Sequence, residues 1–187
     1  MYRLFIALTA ISLFTCQSKT EQQQTNPQQS SSQYDGNVSL LITNEKGINE
    51  QVPDFLWFDQ NGSRVSFAEF SKGKPVLINF WATWCGPCVR EIPDLISLNE
   101  EYAAKGALII GISADRDDKV LSLVSGFVKE HHVNYQIVID NGFLEEAFGG
   151  LQGYPTTFYV NKDGKIVKKL IGMQSKETFA QELNAIL

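Results

Sequence analysis

Apolar and polar positions divide this chain into three zones. Leu4 to Phe14 is almost wholly apolar and uncharged. Residues 17–37 are mostly Gln, Ser, Thr and Asn, with scarcely any apolar side chain. From Val38 onward apolar residues return in short runs separated by Gly, Asn and Asp. Phe55-Leu56-Trp57-Phe58, then Asp59-Gln60-Asn61-Gly62, then Arg64-Val65-Ser66-Phe67 reads as a hairpin around an Asn-Gly turn. Ala68 to Ser71 follows as a short helical turn. Pro75 to Trp81 is nearly continuous in apolar character, which predicts a central strand covered on both faces.

Beyond that strand the period changes. Gly86 to about Ala104 predicts a helix with Leu95, Leu98 and Tyr102 on one face, a kink at Pro93 and a stop at Gly106. Ala107 to Ser113 reads as a second buried strand, Asp117 to His131 as a second helix and Tyr135 to Ile139 as a third strand. Phe143 to Phe148 is a short helix closed by Gly149-Gly150. Thr157 to Val160 and Ile166 to Ile171 form a hairpin about Lys162-Asp163-Gly164. Ser175 caps a last helix that turns Phe179, Leu183 and Ile186 inward. Strands alternating with helices predict an α/β fold with helices on both faces of one sheet. No internal repeat and no second domain is visible.

The first two zones read as delivery. Met1-Tyr2-Arg3 is a short positive start, and the apolar run after it is about half of the roughly 20 residues that span a bilayer. Residues 1–15 therefore read as a secretory signal rather than a membrane helix. Leu13-Phe14-Thr15-Cys16 resembles a bacterial lipobox, although Thr15 stands where Gly, Ala or Ser is usual. Lipid on Cys16 would also remove an odd thiol from an exported protein, as would later cleavage. Residues 16–37 read as a lipidated cysteine and flexible tether, because so polar a stretch cannot offset its chain entropy. A tether of about 20 residues reaches roughly 25 Å. Residues 38–187 are then the folded domain.

Composition narrows the function. The chain has 187 residues, 43% hydrophobic, with a net charge of -5, which argues against a nucleic-acid partner. It holds three cysteines: Cys16, Cys85 and Cys88. Cys85-Gly86-Pro87-Cys88 carries the chemistry. A zinc site would take four ligands, and the remaining candidates, His131 and His132, are neighbours whose side chains point apart. A purely structural bridge this short would constrain little of the unfolded chain. Reversible two-electron redox chemistry is the reading left standing. At the start of a helix, unpaired N–H groups and the helix dipole favour a thiolate. Cys85 is therefore expected as the exposed nucleophile, and Cys88, deeper in the helix, as the thiol that resolves a mixed disulfide. Gly86 permits close approach of a partner chain, and Pro87 costs little in a first turn.

Val76 to Cys88 closely resembles the active-site strand and loop of thioredoxin-fold proteins, and among them the TlpA/ResA-like group of exported, membrane-tethered thiol-disulfide oxidoreductases. The resemblance covers roughly Val52 to Leu187. It implies a thioredoxin-like fold: a central mixed sheet with helices on both faces, an N-terminal hairpin, and an inserted helix-strand unit at about Asp117 to Ile139. Gly153-Tyr154-Pro155-Thr156-Thr157-Phe158 resembles a second landmark, which implies a cis Pro155 against the CxxC and backbone contacts from Tyr154 to substrate. Asn79 stands where ordinary thioredoxins carry a buried Asp. Glu91 matches an active-site Glu of the ResA-like group and would assist proton transfer near the buried thiol; as a plain helix residue it would be a solvated charge. Trp81 and Trp84 would shield the thiols or contact substrate. Asp115, Asp117 and Asp118 read as a solvated, helix-capping loop. Trp57, Phe58, Phe67 and Phe70 read as core and cover.

The resulting expectation is an extracytoplasmic reductant of partner-protein disulfides, with no cofactor or metal beyond the Cys85–Cys88 pair. The resemblance implies partners such as apocytochrome c and a membrane electron donor for re-reduction. A thiol peroxidase is the alternative enzyme, but Ala82 stands three before Cys85 where peroxiredoxins place Thr or Ser. A tethered copper chaperone is the alternative binding module, but Met1 and Met173 are the only methionines.

Overall fold

The computed structural model describes residues 34–44 and 51–187. Its strands are β1 (Tyr34–Asp35), β2 (Val38–Asn44), β3 (Phe55–Phe58), β4 (Arg64–Ser66), β5 (Val76–Trp81), β6 (Leu108–Ser113), β7 (Gln136–Ile139), β8 (Thr156–Val160) and β9 (Ile166–Ile171). Its helices are α1 (Phe67–Ser71), α2 (Gly86–Ala103), α3 (Val120–Glu130), α4 (Phe143–Ala147) and α5 (Lys176–Ile186). The strands form one mixed sheet in the order β4-β3-β2-β7-β6-β5-β8-β9, with β1 on β2. β5, β6 and β7 run parallel; β8 pairs antiparallel with β5, and β9 antiparallel with β8.

Strand β5 lies between β6 and β8 and is buried at every position. Its period of two sorts the side chains. Val76, Ile78 and Phe80 enter the core that holds Phe67, Leu144 and Phe148. Leu77 and Trp81 enter the opposite core, with Ile92, Leu95 and Leu98 of α2, Val124 and Val128 of α3, and Phe179 and Leu183 of α5. Helices therefore cover both faces, α1 and α4 on one and α2, α3 and α5 on the other. Trp81 needs a residue without a side chain beside it. A Cβ on Gly111 of β6 would meet Ile137 Cδ1 at 2.5 Å, Trp81 Nε1 at 3.0 Å and Tyr135 Cε2 at 3.3 Å.

The hairpin stands where the Asn-Gly signal put it. Asp59 Oδ1 accepts from the Asn61 and Ser63 amides, and Gly62 takes a φ of 75°. Ser66 and Glu69 cap α1 reciprocally. Ser175 Oγ accepts from the Thr178 amide at the start of α5. The inserted unit is α3 and β7, which pairs between β6 and β2. α2 runs unbroken through Pro93.

The domain boundary moves. The sequence places the tether as far as residue 37, yet Tyr34–Asp35 pairs antiparallel with β2, and Asn37 Nδ2 donates to the Val133 and Tyr135 carbonyls. A two-residue strand beside a Gly turn carries no alternation to read. The expected signal, residues 1–15, Cys16 and the tether up to residue 33 lie outside the described residues. Among the described residues no helix is long and apolar enough to cross a membrane.

Candidate active site

β5 ends at Trp81, and a turn closed by the Cys85 amide on the Ala82 carbonyl (3.1 Å) delivers Cys85 to the start of α2. Cys85 is the N-cap, in extended conformation, and its Sγ accepts from the Cys88 amide at 3.3 Å. Cys85 and Cys88 are joined in a disulfide with an S–S distance of 2.09 Å. Cys88 is fully buried, while Cys85 keeps 5% of its surface. The expected order of access holds, but Cys85 is nearly enclosed rather than exposed: in the disulfide it packs into the same core as Trp81 and Ile92. The flanking residues are open. Gly86 and Pro87 are exposed, and Trp84 exposes 67%.

Pro155 follows a cis peptide bond from Tyr154. β8 pairs with β5 through Thr156 opposite Phe80, so one further step sets Pro155 beside Trp81 and the active-site turn. The Pro155 carbonyl accepts from the Gly172 amide at 2.8 Å. The Tyr154 ring meets Trp84 edge to face, centroids 5.8 Å apart at 84°. Trp84, Gly86 and Pro87 flank the disulfide in the chain, and Tyr154, next to the cis Pro155, meets Trp84.

Glu91 lies behind it. Its place on α2 looks like that of a solvated helix charge, yet it is only 1% exposed. Asn79 shares the β5 face of Leu77 and Trp81, toward α2. Its Nδ2 donates to Glu91 Oε1 at 2.8 Å and to Thr157 Oγ1 at 3.1 Å. Glu91 Oε2 accepts from the Gln174 amide at 3.3 Å. Burial outweighs these hydrogen bonds and pushes the Glu91 carboxyl up to about 7. The group can therefore hold or release a proton near neutral pH. Burial also raises Tyr135 and Tyr159, with the Glu91 charge adding to both.

The loop of Asp115 corrects the sequence reading. Asp115 is not solvated; it is 1% exposed. Its carboxylate accepts from the Thr83 amide at 3.0 Å, Thr83 Oγ1 at 2.6 Å and Ser113 Oγ at 2.8 Å. It pins the turn two residues ahead of Cys85. Asp117 closes a turn ahead of α3, accepting from the Lys119 amide at 2.7 Å, but it does not cap the helix as expected: Lys119 is the N-cap, with no side-chain cap bond. Arg116 and Glu145 also escaped the sequence reading. Arg116 Nη1 donates to the carbonyls of Asp140 (2.7 Å) and Asp115 (3.1 Å), and Nη2 to Glu145 Oε1 at 3.2 Å. Only the Ser113-x-Asp115 spacing at a strand end hinted at a fold-back.

Trp81 does not reach the surface. It is 1% exposed and packs on Phe127 at 5.2 Å. Trp57, Phe58 and Phe67 are buried as expected, with Phe70 partly so. His131 stacks on Phe127, centroids 4.1 Å apart. Among the described residues no group of three or more His, Cys, Asp or Glu is placed to hold a metal ion.

Known proteins resemble this chain in sequence and fold. The Redoxin family profile matches residues 48–187. The thiol-disulfide oxidoreductase ResA of Bacillus thuringiensis subsp. konkukian (strain 97-27) is 36% identical over 139 residues, spanning 74% of this chain and 78% of that one. A thiol:disulfide interchange protein of the thioredoxin family from Chlorobium tepidum TLS superposes with a TM-score of 0.65 at 28% identity, covering 76% of this chain and 99% of its own. The pneumococcal exposed lipoprotein thioredoxin from Streptococcus pneumoniae strain TIGR4 gives 0.58 at 25% identity, over 71% and 98%. With its thioredoxin-like fold and its Cys85–Cys88 disulfide, the chain belongs to the Redoxin family and is a ResA-like thiol-disulfide oxidoreductase.

Proposed function

We propose that the chain works outside the cytoplasm as a reductant of disulfides in partner proteins, anchored by lipid on Cys16. The observation that carries the catalytic part is the placement of Cys85 as N-cap of α2, ahead of a fully buried Cys88. In the reduced form, the helix N-terminus stabilises a Cys85 thiolate. That thiolate attacks one sulfur of a partner disulfide, forming a Cys85–partner bond and releasing one partner thiolate. The Cys88 thiolate then attacks Cys85 Sγ, closes the Cys85–Cys88 bond and releases the second partner thiolate. Two electrons pass to the partner, and its thiolates take two protons. Glu91 helps deprotonate Cys88. Trp84, Gly86, Pro87, Tyr154 and Pro155 receive the partner chain.

This cycle needs no cofactor beyond the thiol pair. Each turn leaves the disulfide oxidised, so a membrane electron donor must reduce it again. Apocytochrome c, whose paired cysteines must be reduced for haem attachment, fits as a partner. The apolar run, Cys16 and the polar stretch in the sequence support export and anchoring, as does the likeness to an exposed lipoprotein.

The test is a trap. Cys88→Ser full-length protein, expressed in a secreting cell, accumulates disulfide-linked partners that dithiothreitol releases and that Cys85→Ser removes. A folded, exported Cys88→Ser protein that traps nothing overturns the reading.

A further inference from the structure

Trp84 is two-thirds exposed, yet its orientation is not left to solvent. Among the described residues its ring meets that of Tyr154, centroids 5.8 Å apart and nearly perpendicular. Tyr154 is itself tied down: its hydroxyl donates to Glu145 Oε1 at 2.6 Å. The same Oε1 pairs with Arg116 Nη2 at 3.2 Å. Arg116 is fixed by the Asp140 and Asp115 carbonyls, and Asp140 caps α4, accepting from the Leu144 and Glu145 amides at 3.0 and 3.2 Å. Burial and the Glu145 carboxylate hold the Tyr154 phenol protonated, so it remains a donor. The neighbouring Asp115 holds the Thr83 backbone and hydroxyl. Residues 115 and 116 thus anchor both loops that flank the disulfide, one through Thr83 and the other through Tyr154.

We propose that Glu145 and Arg116 are positioning residues for protein substrates: they clamp the Tyr154 hydroxyl so that its ring holds the Trp84 indole ready at the disulfide's edge. A charge-assisted hydrogen bond at this distance is the strong kind. A preset indole spares the ordering cost that a loose one incurs when a partner docks. The effect concerns substrates with a chain to dock, and a small disulfide does not sense it. The proposal rests on reading Trp84 as a partner-facing residue.

The test uses the full-length protein with dithiothreitol as reductant and two substrates, a peptide with a single disulfide and hydroxyethyl disulfide. Losing one such hydrogen bond predicts that Glu145→Ala raises KM for the peptide about fivefold, with kcat within about twofold. Its rate with hydroxyethyl disulfide stays unchanged. Tyr154→Phe raises the peptide KM similarly, and Glu145→Gln, which keeps an acceptor, restores most of the loss. The ¹⁵N indole resonance of Trp84, assigned by its loss in Trp84→Phe, shows greater fast motion in Tyr154→Phe and Glu145→Ala. If Trp84→Ala leaves the peptide KM unchanged, the partner-facing reading falls and the proposal with it. If Trp84→Ala raises KM but Tyr154→Phe and Glu145→Ala change neither KM nor the indole, the proposal alone is overturned.

Discussion

Asn79 on β5 donates its side-chain amide to the buried carboxyl of Glu91 on α2 at 2.8 Å. Glu91 lies about one helical turn after Cys88 on α2, and Asn79 reaches it from the face of the sheet that α2 covers. The pairing gives the site a proton store where an unpaired buried carboxylate would be costly.

The first prediction follows from the raised Glu91 carboxyl. Its ordinary value is 4.5 and its value in the fold is about 7. Between these values the folded state binds the proton and the unfolded state does not. The stabilisation from this group is therefore complete below about pH 4.5, falls as pH rises, and is gone above about pH 7. The shift corresponds to about 3 kcal/mol across that window. Urea unfolding of the oxidised protein at pH 5 and pH 8 measures it. Glu91→Gln, which keeps an acceptor for Asn79, loses that part of the pH dependence. An unchanged pH slope in Glu91→Gln refutes the assignment.

Removing Asp115 leaves the Thr83 amide and hydroxyl and the Ser113 hydroxyl without their acceptor. Asp115→Ala is expected to cost about 2–4 kcal/mol, from buried donors left unmade. Thr83→Ala costs less alone, and the two are non-additive in a double-mutant cycle by about 1 kcal/mol or more. Strict additivity means the pair does not hold the turn.

Gly111→Ala forces its new Cβ against Ile137, Trp81 and Tyr135. Overpacking of this kind costs about 1–3 kcal/mol, read as a lower denaturation midpoint with an unchanged slope. A variant within about 0.5 kcal/mol of the parent shows that the core beneath Trp81 yields easily.

Cys16→Ser is expected to move the exported protein from the membrane pellet to the soluble fraction. Its rate with hydroxyethyl disulfide should not change, because the exchange runs through Cys85 and Cys88. Retention of Cys16→Ser in the membrane argues against lipid on this residue.

Local pattern carried much of this fold. The apolar run at Val76–Trp81 announced β5, and Gly and Ser signals placed most element ends within a few residues. Cys85 and Cys88 were legible because their spacing is itself the chemistry. Glu91 was half legible: its distance from Cys88 could be read, but its backbone partner Gln174 lies 83 positions away. Asp115 was misread because an Asp among Asp117 and Asp118 looks solvated, while its partner Thr83 lies 32 positions earlier. Contacts that close only on folding leave no periodic trace, and β1 and the Arg116–Glu145–Tyr154 chain were invisible for that reason.

In the proposed cycle Cys85 and Cys88 deliver electrons to partner disulfides. The midpoint potential of this pair, measured against glutathione or dithiothreitol, tests it most directly. A reductant of this kind has a value near thioredoxin's, about -270 mV; a value near about -120 mV would make the protein an oxidant and overturn the proposed direction of electron flow.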